Sequence, residues 1–466
     1  MTVTPRLLGR RRSGVLLHPT SLISGEGAES RGALGAAARG FIDWLAQAGF
    51  SIWQVLPLGP PGGSGSPYLA RSDFAGQTSM IDRSELPDLG AQHSDFEAFL
   101  AAQRDWLEDY VLFEALADRF QAPWWDWPVQ FREREPKAMQ RFEREEREQL
   151  QRRRLEQWQF DWQWRALRAY AAARGVFLFG DLPIYVAPDS VATWSARAQF
   201  QLDADGRPTL LAGVPPDYFS ADGQLWGNPL YDWAQAERDG FSFWRTRLAR
   251  QLQRFDLVRI DHFRGLAGYW AVPAGARTAR EGHWRPAPGQ ALFAALTADF
   301  PELPLVAEDL GVITPDVEQL RVAFRLPGMR VLQFGFDGTP DNPHLPHNYL
   351  RDVVAFTGTH DNDTTVGWYR SLARADAQRV EFYLHTDAAG LPESMARAAL
   401  ASVAQLAIIP AQDLLQLGSQ ARFNTPGTAS GNWSWRLPAG GLTAALAVQF
   451  ASLNHVFGRI SGGTHA

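Results

Sequence analysis

Eight short apolar runs, each closed by a turn signal and most of them separated by amphipathic helical patterns, govern what this chain can fold into. They fall near 13–17 (SGVLL), 51–57 (SIWQVLP), 175–182 (GVFLFGDL), 257–261 (LVRID), 304–308 (PLVAE), 330–335 (RVLQFG), 353–357 (VVAFT) and 406–410 (LAIIP). A short continuous apolar run reads as a strand buried on both faces, the condition of a parallel sheet packed under helices. Strand alternating with helix eight times predicts an α/β fold, a (β/α)8 barrel. An open doubly wound sheet would need a phosphate-type glycine loop after an early strand, and none stands in helix context. Spacing is uneven. A single catalytic barrel domain over 1–466 is predicted, with insertions at about 60–172 and 185–250 in loops over the barrel mouth. Inside the first insertion, Phe131 to Gln157 mixes Arg and Glu densely and predicts one solvated helix supported by pairs such as Glu143 with Arg147 and Glu148 with Arg152.

Charge narrows the partners. The net charge of −6, from 45 basic and 51 acidic residues, provides no broad footprint for nucleic acid or an anionic membrane, so the expected ligand is neutral or small. Absence of cysteine excludes disulfides and thiolate metal sites and fits a reducing compartment. Arg6, Arg10, Arg11 and Arg12 precede only Val15-Leu16-Leu17 before His18-Pro19, too short an apolar stretch for a signal peptide. No run approaches a membrane span, and a cytoplasmic protein is predicted. The 18 tryptophans and 28 phenylalanines mostly serve cores, but aromatic faces also pack against the C–H faces of pyranose rings.

Three of the runs end in a carboxylate: Asp261 in LVRIDH, Glu308 in LVAED and Asp361 in TGTHDN. In a barrel that end is where active sites are built. Glycoside cleavage with retention needs one carboxylate to attack the anomeric carbon and a protonated carboxyl to assist the leaving oxygen, about 5–5.5 Å away. Arg259, two residues before Asp261 on the same strand face, would keep a neighbouring carboxylate ionised, which favours Asp261 as nucleophile. Glu308 has a longer arm and an apolar lead-in, favouring a raised pKa and the acid/base role. Asp361 would stabilise positive charge on the oxocarbenium-like transition state or grip ring hydroxyls, and His360 beside it could donate to the same sugar. Each has a plainer reading: a strand-end ion pair for Asp261 and Arg259, a helix cap for Glu308, Asx turns for Asp361 and Asp363. A metal on His360, Asp361 and Asp363 would lack the remaining ligands of a zinc or calcium pattern. Loops rich in Gly and Pro at 59–68, 213–231 and 425–435 follow candidate strands and none ends as a P-loop, so ligand contact through their Tyr, Trp, Asn and Asp is expected rather than phosphate cradling.

VRIDHFRGL, AEDLG, TGTHDNDTT, GVPPDYFSADGQLWGNPLY and NTPGTASGNWSW together closely resemble the 4-α-glucanotransferases known as amylomaltases or disproportionating enzymes, within the α-amylase-type barrel enzymes. The resemblance covers nearly the whole chain. It implies a barrel with inserted subdomains and no C-terminal β-sandwich, and transfer of a 1,4-α-glucan segment to the 4-hydroxyl of glucose or another glucan through a covalent glycosyl-enzyme. It implies Asp261 as nucleophile, Glu308 as general acid/base, Asp361 as transition-state stabiliser, and Arg259 and His360 as their support. Tyr68, Asp337 and Asn432 match glucose contacts; Tyr218, Phe219 and Trp226 match a flexible loop covering the cleft. Maltooligosaccharides and 1,4-α-glucans derived from starch or glycogen are the implied substrates, with no organic cofactor or metal. One departure stands out: where relatives carry GPTGYGDSPY, this chain has GPPGGSGSPY, with Gly63 in place of the tyrosine. Two rivals remain, an α-glucan hydrolase using the same carboxylates and a catalytically inactive glucan-binding protein.

Overall fold

The computed structural model describes residues 6–23, 32–216, 221–428 and 430–460. Its strands are β1 Arg12–Leu16, β2 Ile52–Gln54, β3 Phe177–Leu182, β4 Leu210–Val214, β5 Gln224–Pro229, β6 Leu257–Ile260, β7 Gly268–Pro273, β8 His283–Pro286, β9 Leu305–Ala307, β10 Gly328–Val331, β11 Val353–Phe356 and β12 Leu406–Pro410. Eight of them form one parallel sheet in the order β10-β11-β12-β1-β2-β3-β6-β9. Each of these eight overlaps one of the apolar runs. The sixth run is displaced, since the strand is Gly328–Val331 and Leu332–Gly335 turns into a 3-10 helix.

Alternation along the strands divides the apolar side chains between two cores. Leu16, Ile52, Phe179, Leu257, Val306, Val331, Val354, Phe356, Leu406 and Ile408 fill the barrel interior. Val15, Trp53, Leu178, Val258, Leu305, Ala355, Ala407 and Ile409 point outward under the helices. Because both faces are buried, the runs carry so few polar residues. Gly14 is required by close approach: a Cβ there would lie 2.6 Å from Ile52 Cβ and 2.8 Å from Ile408 Cδ1.

The two ends of the sheet, β9 and β10, meet without a regular ladder. Ala307 N donates to Pro327 O at 2.9 Å, and Met329 N donates to the Asp309 carboxylate at 2.6 Å. Asp309 also faces Arg330 at 3.3 Å and Arg321 at 3.4 Å, both ion pairs largely buried. The strand amide that lacks a strand partner thus receives a carboxylate oxygen, as a buried N–H requires.

Between β2 and β3 the chain builds helices around a second, tryptophan-rich core with Trp106, Trp124, Trp127, Trp158 and Trp194. The charged segment is not one helix. Pro136–Glu145 and Arg147–Ala173 are separate, with Glu146 between them, and Arg152 pairs with Glu156 rather than Glu148. The longer helix reaches from Leu150 and Trp158 in the second core to Trp164 and Leu167 in the main one. Segments after β3 and after β6 supply a four-stranded antiparallel sheet, β5-β4-β7-β8. Far from the mouth, the buried Arg459 guanidinium donates to Arg12 O and Leu400 O, both at 2.6 Å, and to Ser402 O at 3.2 Å. It satisfies carbonyls at the end of helix Leu391–Ala401 that have no intrahelical partner. No helix among the described residues is long and apolar enough to cross a membrane.

Candidate active site

Neighbouring strand ends deliver the carboxylates. β3, β6 and β9 are adjacent and in register, Asp181 opposite Arg259 and Arg259 opposite Val306. Asp261 N donates to Leu182 O at 3.0 Å and Glu308 N to Ile260 O at 3.1 Å, so the ladder extends one residue past each strand. Asp261 and Glu308 therefore emerge side by side at the C-terminal rim.

Arg259 organises the centre. Its Nη1 donates to Asp181 Oδ2 and its Nη2 to Asp261 Oδ1, each at 2.6 Å. Asp181 is fully buried, and its Oδ2 also accepts the Tyr68 hydroxyl at 2.7 Å. One guanidinium thus serves two carboxylates, with Glu308 as a third acid nearby. The Glu308 carboxyl is pushed up to about 8, first by burial and then by the Asp261 charge, against a downward pull from Arg259. Its Oε1 accepts Leu310 N at 3.0 Å, which fixes the carboxyl but does not offset burial. At neutral pH Glu308 is an acid with a proton to give.

Asp361 stands across the cleft with its carboxylate held at both oxygens. Asn424 Nδ2 donates to Oδ1 at 2.6 Å, and His360 Nε2 lies 3.3 Å from Oδ2. Arg422 donates to the Asp361 carbonyl at 2.6 Å. His360 stacks on Tyr68 with ring centroids 5.0 Å apart and planes at 14°, so Tyr68 links the Asp361 side to Asp181. Asp363 faces elsewhere, accepting Thr364 N and the Ser419 hydroxyl. Among the described residues no group of three His, Asp or Glu is placed to hold a metal ion.

The remaining candidates divide. Trp226 lies on β5, half-buried, edge-on to His262 at 4.7 Å, so it is part of a sheet that backs the residue after Asp261 and not the tip of a free loop. His262 itself has φ 49°, in the left-handed region that non-glycine residues enter uncommonly. Asn432 spends its amide inside its own loop, accepting Thr425 N at 2.9 Å and donating to Thr428 O at 3.0 Å. Its neighbour Trp433 is the residue that reaches the site, 5.9 Å from Tyr68 and 6.1 Å from His360. Asp337 makes an exposed Asx turn with Thr339 N and contacts none of the three carboxylates. Tyr218 and Phe219 lie outside the described residues. At Gly63 an added Cβ would meet nothing within 4 Å, so packing does not forbid a side chain there.

Three functional neighbours escaped sequence reasoning: Asp181, Asn424 and Trp433. Asp181 carried a similar signal, a carboxylate one residue before the end of the apolar run GVFLFGDL. Asn424 opens the NTPGTASGNWSW motif and Trp433 lies within it, but neither is singled out there.

The profile of the 4-alpha-glucanotransferase family, glycoside hydrolase family 77, matches residues 17–92 and 83–443. The chain belongs to that family. The 4-alpha-glucanotransferase of Thermus thermophilus is 45% identical over 482 aligned residues, covering 93% of this chain and 96% of the relative. That of a Synechocystis species is 44% identical, covering 97% and 99%. An amylomaltase from Streptococcus agalactiae, solved in complex with acarbose, superposes with a TM-score of 0.90 at 32% identity, over 97% of this chain and all of that one. The amylomaltase of Corynebacterium glutamicum, at 18% identity and a TM-score of 0.69 over 98% of this chain and 75% of its own, shares the fold. This 4-alpha-glucanotransferase is therefore an enzyme that transfers glucan segments on a (β/α)8 barrel.

Proposed function

We propose that this glucanotransferase acts on maltooligosaccharides and on 1,4-α-glucans derived from starch or glycogen, in the cytoplasm, with Asp261, Glu308 and Asp361 in named roles. Asp261 attacks the anomeric carbon with Oδ2, its Oδ1 being held by Arg259. The glycosidic C–O bond breaks as Glu308 gives its proton to the departing oxygen, and a glycosyl ester forms on Asp261. The 4-hydroxyl of an acceptor then loses its proton to Glu308 and attacks the same carbon, which frees Asp261. Asp361, with Asn424 and His360 holding its two oxygens, stabilises positive charge developing on the ring.

The observation that carries this reading is the unequal treatment of two adjacent acids: Glu308 keeps its proton to about pH 8, while Asp261 has a guanidinium at 2.6 Å. Such divergent environments separate an acid from a nucleophile. Maltotriose is the test. Glucose and a ladder of longer oligosaccharides should appear with almost no rise in reducing ends, because transfer conserves glycosidic bonds. Reducing ends rising in step with substrate loss would make the enzyme a hydrolase. Glu308→Gln with α-glucosyl fluoride, whose leaving group needs little acid help, should accumulate a sugar on the peptide 258–264. An adduct at Asp361 instead would overturn the assignment.

A further inference from the structure

Beyond the rim of the site, the loop after Asp261 and the loop after Glu308 are tied together: Arg264 Nη1 donates to Val312 O at 2.6 Å. On the guanidinium of Arg264 lies the indole of Trp284, 3.9 Å from carbon to ring centroid. Trp284 belongs to β8, the edge strand of the antiparallel sheet, and Trp270 on β7 meets it edge-on at 5.2 Å and 69°. One face is therefore backed by Arg264, and Trp270 stands nearly perpendicular to the ring. Yet the residue remains 42% exposed, so much of the ring is still open to solvent. Val312, whose carbonyl Arg264 holds, is 63% exposed.

This ring is not spent on core packing. Shielding Arg264, whose Nε is buried without a hydrogen-bond partner, needs only the inner face. The exposed part of the ring is an apolar surface held in place by Arg264 and Trp270, so a ligand stacking on it pays little ordering entropy. We propose that Trp284 is a stacking site for a glucosyl residue of an extended 1,4-α-glucan, on the acceptor side of the cleft. The pyranose C–H face is the complementary surface. The tie assigns the side: Arg264, on which Trp284 stacks, is bonded to the loop that follows Glu308, the group that works on the oxygen of the leaving segment and, in the second step, of the acceptor. This rests on the reading of Glu308 as acid/base.

The test uses the full enzyme with α-maltosyl fluoride as donor and either glucose or maltoheptaose as acceptor. Trp284→Ala should raise KM for maltoheptaose about three- to tenfold, the range of one aromatic stack, while KM for glucose stays within about twofold. Trp284→Phe should fall between. Calorimetric titration with maltoheptaose should show the same order of affinities. Equal effects on both acceptors, no effect on either, or a loss confined to thermal stability would overturn the proposal and make the ring a cover for Arg264. Failure of the unmodified enzyme to transfer to glucose at all would instead overturn the reading of the site.

Discussion

Glu308→Gln should make the protein more stable, by an amount that grows with pH. In the unfolded chain this carboxyl has its ordinary value of 4.5, and in the native protein it is held near 8. Between those values the native state keeps a proton that the unfolded chain has released. A raised native value means stability is fully present below pH 4.5 and is lost as pH rises toward 8, at about 1.4 kcal/mol per pH unit. Integrated over that window, the native state gives up about 1 kcal/mol by pH 5 and about 3 kcal/mol by pH 7. The amide has the same shape, can still accept Leu310 N, and never ionises, so the variant escapes that loss. Urea unfolding of both proteins at pH 5 and pH 7, followed by tryptophan fluorescence, measures the difference. A stability gap that is the same at both pH values, or a variant less stable than the parent, would refute the reasoning. Transfer from maltooligosaccharides should be abolished in the same variant, so one proton both weakens the fold and enables the chemistry.

Other expectations follow from the same geometry. The kcat/KM for maltotriose should fall above about pH 8 and reach roughly a tenth of its plateau at pH 9, as the Glu308 acid is lost, which initial rates across pH 6–10 would show. Tyr68→Phe removes a donor from the buried Asp181 carboxylate, whose Oδ1 already lacks a partner; kcat should drop about ten- to a hundredfold, with about 1–3 kcal/mol of stability, checked by steady-state kinetics beside thermal melts. Asp309→Ala strips Met329 N, Arg321 and Arg330 of their shared acceptor at the barrel seam and should cost about 3–5 kcal/mol in a melting experiment, with Asp309→Asn costing less.

Much of this was legible in the chain for a physical reason. Strands buried on both faces have no polar face to blur them, which is why all eight barrel strands stood out as apolar runs, and carboxylates closing those runs had to arrive at one rim. Where the signal failed, a competing force explains it. Leu332 to Gly335 is as apolar as the strand before it, so periodicity extended β10 into a 3-10 turn. The antiparallel sheet was invisible because Gly213, Gly227, Gly268 and several prolines make its strands read as loops. The charged helix was drawn unbroken because composition does not register the interruption at Glu146. Asn432 is singled out by the resemblance alone, whereas its loop spends that amide on holding itself and brings the Trp433 ring near Tyr68 and His360.

Arg459 has a consequence for how the molecule is made. The strand it clamps, β1, is made well ahead of its clamp, since the guanidinium that donates to Arg12 O lies 447 residues later. The neighbours of β1 are β2, close behind, and β12, which pairs with it from Arg12↔Leu406 to Leu16↔Pro410. At translation speeds of about 5–20 residues per second, β1 waits roughly 20–90 s for its second neighbour and its clamp. During that interval one edge of an apolar strand is exposed, a template for pairing with another nascent chain. Ring closure thus waits on residues made far later than β1, and a chain stalled before Arg459 should aggregate rather than accumulate as a nearly complete barrel.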